Sequence, residues 1–281
     1  MRRFGSRLGF AFLASCAIAA PLFTTTTTTS ADAPVEAEYS AVAKRSSNSP
    51  TNAAKIFRWG LSHWEDEFIP DRLHRRWKSN VGSQVGAQVG MLTLKAKPST
   101  KSLWTTPSDI KRRYGRWEAR VKVRDGSRQT HDALHRVFFE LIPAGKYRCG
   151  ARNLAVATYT PRSDSQVKGY VRNHQRGYQF NFQRDPQGSV DEFHTFAVEV
   201  APDHITWFVD KVPVATERRP EALKLGYRYK PRFRMEAQAG KRMDHTWLQM
   251  DWIRYYNLKR PNAKSIAAPP MEKAYNAASK C

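Results

Sequence analysis

The sequence predicts an all-β protein, a sandwich or barrel of short strands, and three observations carry that prediction. Apolar residues in the body alternate with polar ones instead of recurring every three or four positions. Gly and Pro interrupt this pattern at short intervals. No segment of the body shows the long apolar stripe of an amphipathic helix.

The elements follow in chain order. Met91-Leu92-Thr93-Leu94 is a β-prone run. Trp117, Ala119, Val121 and Val123 alternate with Glu118, Arg120, Lys122 and Arg124, as in a half-buried strand. Phe196, Val198 and Val200 share one side of an extended segment, and Ile205, Trp207 and Val209 share one side of the next, with Pro202-Asp203 turning the chain between them. Trp252-Ile253-Arg254-Tyr255-Tyr256 closes the series. With 8 Trp, 11 Tyr and 14 Phe, the body has ample material for one large core.

The ends read differently. MRRFGSR followed by LGFAFLASCAIAAPLF has the basic start and short apolar run of an export signal, expected over residues 1–33. Export places the protein outside the cytoplasm, secreted or at the cell surface. Leu13-Ala14-Ser15-Cys16 also fits a lipid-anchor site at Cys16. No second apolar stretch is long enough to span a bilayer. Residues 34–55 lie in a Thr/Ser/Ala/Pro-rich stretch, begun by six consecutive threonines, that is too poor in large apolar groups to fold and reads as a disordered linker. Residues 56–258 form the body and 259–281 a C-terminal tail of linker-like composition.

A net charge of +22 attracts polyanions through a salt-screened field. Candidate partners are acidic polysaccharides and anionic cell-wall polymers, with nucleic acid bound only non-specifically. Cys149 and Cys281 could pair once the signal is removed, or stay as thiols; their spacing fits no zinc or redox motif. The eight histidines show no metal-ligand spacing, and no P-loop or dinucleotide fingerprint occurs, so neither metal nor cofactor is expected.

Five segments in order resemble glycoside hydrolase family 16, the laminarinase and lichenase group. They are Trp64-Glu65-Asp66-Glu67-Phe68 with Trp77, Tyr114-Gly115-Arg116-Trp117-Glu118-Ala119-Arg120, the apolar run at 134–143, Phe193-His194-Thr195-Phe196-Ala197-Val198-Glu199 continuing through Trp207-Phe208-Val209-Asp210, and Met250-Asp251-Trp252-Ile253-Arg254-Tyr255-Tyr256. At the Asp-Gly turn of the family this chain has Asp210-Lys211. The resemblance implies a concanavalin A-like jelly roll, two curved antiparallel sheets with a glycan lying across the concave one. It also implies a structural calcium in many members, for which no residue here speaks.

The family carries Glu-x-Asp-x-x-Glu or Glu-x-Asp-x-Glu on one strand, because a retaining glycosidase needs two carboxyls about 5–5.5 Å apart. Aligned by its neighbours, this chain has Asn153 at the nucleophile position, Ala155 at the intervening Asp and Thr158 at the acid/base. An amide is a poor nucleophile, and a threonine hydroxyl does not titrate near neutral pH. Glu140, Glu118, Glu236 and Asp164 are the candidate substitute carboxylates. The plainer reading of Glu140 is a salt bridge, Glu118 reads as structural, Asp164 falls in a loop, and no two of them have the required spacing. Candidate ligand contacts are His135 and Arg136, where the family has Trp and Pro, together with Phe139, Tyr159, His174 and Tyr178; Tyr170, Arg172 and Arg176 interleave with the last two.

Three functions follow as expectations. The first is a polysaccharide-recognising protein on a family 16 scaffold without hydrolysis. The second is an endo-glycosidase using unconventional residues such as Glu140. The third is a basic wall protein adhering to polyanions.

Overall fold

A computed structural model describes residues 52–69, 71–125, 133–145, 152–160, 164–173, 178–185, 192–223 and 226–273. The expectations for the export signal, Cys16, most of the linker, Cys149, Cys281 and His174 fall outside these residues.

The chain forms strands β1 Trp64–Asp66, β2 Trp77–Ser79, β3 Val85–Gln88, β4 Met91–Lys95, β5 Ser102–Pro107, β6 Gly115–Asp125, β7 His135–Pro143 and β8 Arg152–Thr160. They continue as β9 Asp164–Asn173, β10 Tyr178–Arg184, β11 His194–Val200, β12 Ile205–Val209, β13 Val212–Glu217, β14 Tyr229–Ala237, β15 Thr246–Tyr256 and β16 Glu272–Lys273. Two sheets result. The back sheet runs β13-β12-β11-β6-β15-β4-β3, with β1 added to β15. The cleft-bearing sheet runs β16-β10-β9-β8-β7-β14-β5-β2. Neighbours pair antiparallel throughout, and consecutive strands such as β11, β12 and β13 are joined by tight turns.

Alternation decides what lies between the sheets. Trp117, Ala119, Val121 and Val123 of β6, Phe196, Val198 and Val200 of β11, and Ile205, Trp207 and Val209 of β12 all enter one core. The cleft-bearing sheet supplies Val137, Phe139 and Leu141 of β7, Leu154 and Val156 of β8, Phe180 and Phe182 of β10, and Phe233 and Met235 of β14. Burying each large apolar side chain contributes about 1.5–3 kcal/mol, which is what opposes the entropy of ordering so many strands.

Two hairpin turns place non-glycine residues in the left-handed region, and Arg58 and Phe68 adopt it outside the hairpins. Val89 and Gly90, with φ 52° and 65°, make the two-residue connection from β3 to β4. Asp210 and Lys211, with φ 45° and 75°, connect β12 to β13, as primed hairpin turns require. The Asp210 carboxylate secures its turn by accepting the Thr195 N–H (2.8 Å) and meeting His194 Nδ1 (2.5 Å).

A layer of chain covers part of the back sheet. The last residues of the expected linker form a one-turn helix, Ala53–Ile56, capped by Asn52. Its first N–H groups donate to the buried Glu118 carboxylate, at 2.7 Å from Ala53 and 3.4 Å from Ala54. Phe57 and Trp59 then pack on Ala197, Phe208 and Tyr256. The first part of the expected tail is also packed: Arg116, buried with Glu199 as an ion pair, donates to the carbonyls of Asn257 (3.1 Å) and Arg260 (2.9 Å). Asn262 bonds both Glu199 and the Trp59 indole. Farther on, Pro269 O accepts the Thr216 N–H at 2.9 Å, Arg219 donates to Met271 O, and β16 joins the edge of β10. Composition marked these segments as linkers; backbone groups taken up by buried side chains fix them.

Candidate functional site

On the outer side of the cleft-bearing sheet lies a cleft of about 810 Å³. Its floor comes from the positions that alternate with the core residues: Arg136 and Phe138 of β7, Thr158 and Thr160 of β8, Lys168, Tyr170 and Arg172 of β9, Gln179, Asn181 and Gln183 of β10, and Arg234 and Glu236 of β14. Pro269, Pro270 and Glu272 add a side wall from the packed tail.

Strand β8 carries a bulge. Phe139 pairs with Ala157 and Glu140 with Ala155, so Val156 is the extra residue. The carbonyl of Ala155 accepts the Trp207 indole N–H from the opposite sheet at 2.9 Å. With this offset Asn153 and Thr158 both serve the cleft side, with Ala155 between them in the cross-strand row Glu140, Ala155, Tyr170.

Glu140 sits fully buried beneath the floor. Its Oε1 accepts from Arg232 Nε (2.8 Å) and Arg234 Nε (3.0 Å), and its Oε2 accepts from Asn153 Nδ2 (3.3 Å). Asn153 Oδ1 in turn accepts from Arg172 Nε at 2.8 Å. Burial alone pushes the Glu140 carboxyl up, but the Arg234 and Arg232 charges outweigh it and hold it below its usual range. It is a locked carboxylate with no proton to give. Glu236 bonds the same Arg234 through Nη1, so one guanidinium fills the gap between the two carboxylates.

The cations also cover the aromatic rings. Arg234 Cζ lies 3.7 Å from the Phe138 ring centroid and Arg172 Cζ 4.6 Å from that of Tyr170. A ligand in the cleft therefore meets guanidinium planes where a neutral sugar would stack on bare rings. Five cations line the space, Arg136, Lys168, Arg172, Arg184 and Arg234, against the carboxylates Glu236 and Glu272. Arg136 and Arg184 are exposed and make no ion pair among the described residues.

The residues singled out from sequence divide sharply. Arg136 lines the cleft. Phe139 does not: it faces the core and stacks on Phe233, with centroids 4.8 Å apart. The strand is buried on both faces, so its neighbour Phe138 takes the cleft side. Tyr178 likewise belongs to the core beside Phe180, and the cleft receives Gln179 and Asn181 from that strand. His135 is buried, on the same side of β7 as Val137 and Phe139. Tyr159 lies in β8, but its side chain is outside the described residues, as is all of His174. Sequence reasoning named Glu236 as a candidate carboxylate but passed over Arg232 and Arg234, although all three alternate with Phe233 and Met235 and so had to face away from the core. Among the described residues no group of His, Cys, Asp and Glu could hold a metal, and no helix is long and apolar enough to cross a membrane.

Comparison with known proteins agrees with this fold. The family model described as "Glycosyl hydrolases family 16" matches residues 157–253, beginning inside β8 just beyond Asn153 and Ala155. No curated protein matches by sequence. Among solved structures, the laminarinase from Rhodothermus marinus aligns with 19% identity and a TM-score of 0.58, covering 70% of this chain and 96% of that one. The catalytic domain of an endo-1,3-beta-glucanase (laminarinase) from Thermotoga petrophila aligns with 15% identity and a TM-score of 0.59, covering 71% and 98%. The laminarinase from Flavobacterium sp. UMI-01 aligns with 16% identity and a TM-score of 0.59, covering 70% and 100%. The chain is thus similar in sequence to glycosyl hydrolases family 16 from β8 to β15 and carries the jelly-roll fold of the laminarinases.

Proposed function

We propose that this is an exported protein, secreted or surface-tethered, that holds an acidic polysaccharide in the cleft without hydrolysing it. One observation carries the reading. Aligned by its flanking residues, β8 carries Asn153, Ala155 and Thr158 where family 16 is expected to carry carboxylates, and Glu140, which accepts from Asn153, is engaged by Arg232 and Arg234; this supports the reading. Glycosidic cleavage needs one group to donate a proton and another to attack or to activate water. The cationic lining and the covered rings support uronate or sulfate groups over a neutral glucan.

The test incubates purified protein with laminarin, lichenan, an agar-type galactan and polygalacturonate. Binding to the acidic polymer with no new reducing ends from any polymer is expected. Reducing ends from any of them overturn the reading. A second reading, hydrolysis by unconventional residues, draws on Glu140 and Glu236 flanking Arg234. Activity lost in both Glu140→Gln and Glu236→Gln establishes it.

A further inference from the structure

The back sheet has its own cationic surface, opposite the cleft. Because Trp117, Ala119, Val121 and Val123 point inward, Arg120, Lys122 and Arg124 of β6 point outward. The layer formed by residues 53–59 covers the Glu118 end of this strand and leaves the other end open. There Trp247 of β15 lies between Arg124 on one neighbouring strand and Lys95 on the other. Lys122 Nζ and Arg120 Cζ both sit over the Phe193 ring, at 4.5 and 4.3 Å, and Arg124 Cζ lies 5.5 Å from the Trp247 ring.

These charges are unequally satisfied. Asp251 neutralises Arg120 at 2.5 Å. Among the described residues Lys95, Lys122 and Arg124 have no ion pair. Side chains two apart on a strand are about 6.6 Å apart, and neighbouring strands about 4.8 Å, so the three cations crowd one small area. Burial, then repulsion from Arg124 and Arg120, holds the Lys122 ammonium below its usual range, against the attraction of Asp251.

We propose that Lys95, Lys122 and Arg124 form a second anion-binding site for an acidic polysaccharide strand, on the face opposite the cleft. A flexible, multiply charged chain supplies several anions at this spacing together. The rings already carry cations and offer no open platform for nucleobases. The exposed large apolar residues among those described, Leu61, Ile69, Val89, Val212 and Tyr227, lie elsewhere, so the described part of the patch has nothing to insert into a lipid surface. With cations on two opposite faces, one molecule bridges two polymer strands.

The inference stands apart from the cleft reading, and the experiment separates them. Binding to polygalacturonate is measured at low salt for the wild type, for a cleft variant (Arg136→Ala with Arg184→Ala), for a back-sheet variant (Lys95→Ala, Lys122→Ala and Arg124→Ala), and for the combination. Adding the back-sheet changes to the cleft variant is expected to weaken the remaining binding about tenfold or more. The back-sheet variant alone should also abolish the light scattering expected when wild-type protein bridges polymer chains. The single variant Lys122→Glu, checked for an unchanged thermal midpoint, repeats the test with minimal disturbance of the sheet. Unchanged binding and scattering in both back-sheet variants overturn the proposal. So does equal or tighter binding of a single-stranded oligodeoxynucleotide or anionic vesicles to the same residues. A cleft variant that binds like the wild type counts against the cleft reading alone.

Discussion

Replacing Glu118 by Gln tests how a buried charge links the back sheet to the chain that enters it. The Glu118 side chain is fully buried and accepts the first N–H groups of the helix Ala53–Ile56 through Oε1, and Oε2 has no hydrogen bond among the described residues. Burial pushes its carboxyl up to about 7, against an ordinary 4.5, despite the bonds from Ala53 and Ala54. At about 1.36 kcal/mol per tenfold change in proton affinity, this gap corresponds to roughly 3 kcal/mol. The folded protein binds the proton more tightly than the unfolded chain. That contribution is therefore complete below about pH 4.5 and lost as pH rises through 7. Urea unfolding of wild type and Glu118→Gln at several pH values from 4.5 to 8 measures it. Gln keeps the acceptor and cannot ionise, so the wild type should lose about 3 kcal/mol relative to the variant across that range. Other titrating groups are common to both proteins and cancel in the difference. Two parallel pH profiles, differing by a constant, refute the argument that Glu118 ionises at the cost of stability.

Three further outcomes follow from the same structure. Val89→Asn should raise stability by about 1 kcal/mol in thermal unfolding, because a β-branched residue at φ 52° is strained and Asn tolerates this region. Glu199→Ala should cost about 3–5 kcal/mol in denaturant unfolding, since it strands the Arg116 guanidinium, whose side chain is only 3% exposed. Phe139→Ala should cost about 3–5 kcal/mol of stability by opening a cavity, whereas Arg136→Ala should weaken polygalacturonate binding and shift stability by less than about 0.5 kcal/mol.

The strands of the back sheet were legible because one apolar face alternates with a polar one. The sets at 117–123, 196–200 and 205–209 all enter the core, as their spacing required. The cleft was much less legible. In β7 both Phe138 and Phe139 are buried, one under Arg234 and one in the core, so hydrophobicity carries no information about which side each faces. A slip of one residue exchanges core for cleft, and that is the error at Phe139 and Tyr178. Strand β14 shows the reverse: Arg232, Arg234 and Glu236 alternate with Phe233 and Met235, and the parity was readable there. The packed parts of the linker and tail were not readable, because Glu118, Arg116 and Arg219 hold them by main-chain atoms, which every sequence possesses equally.

Strand β16 has a consequence for how the molecule behaves in company. At Phe180 and Asn181 it pairs with the edge of β10 beside the cleft, the kind of margin along which separate molecules zip together. Here Glu272 and Lys273, oppositely charged and both exposed, occupy that margin instead. The stretch at Met271–Lys273 thus acts as selvedge over Phe180 and Asn181, and trimming the chain before Met271 is expected to promote edge-to-edge self-association, read as an increase in light scattering.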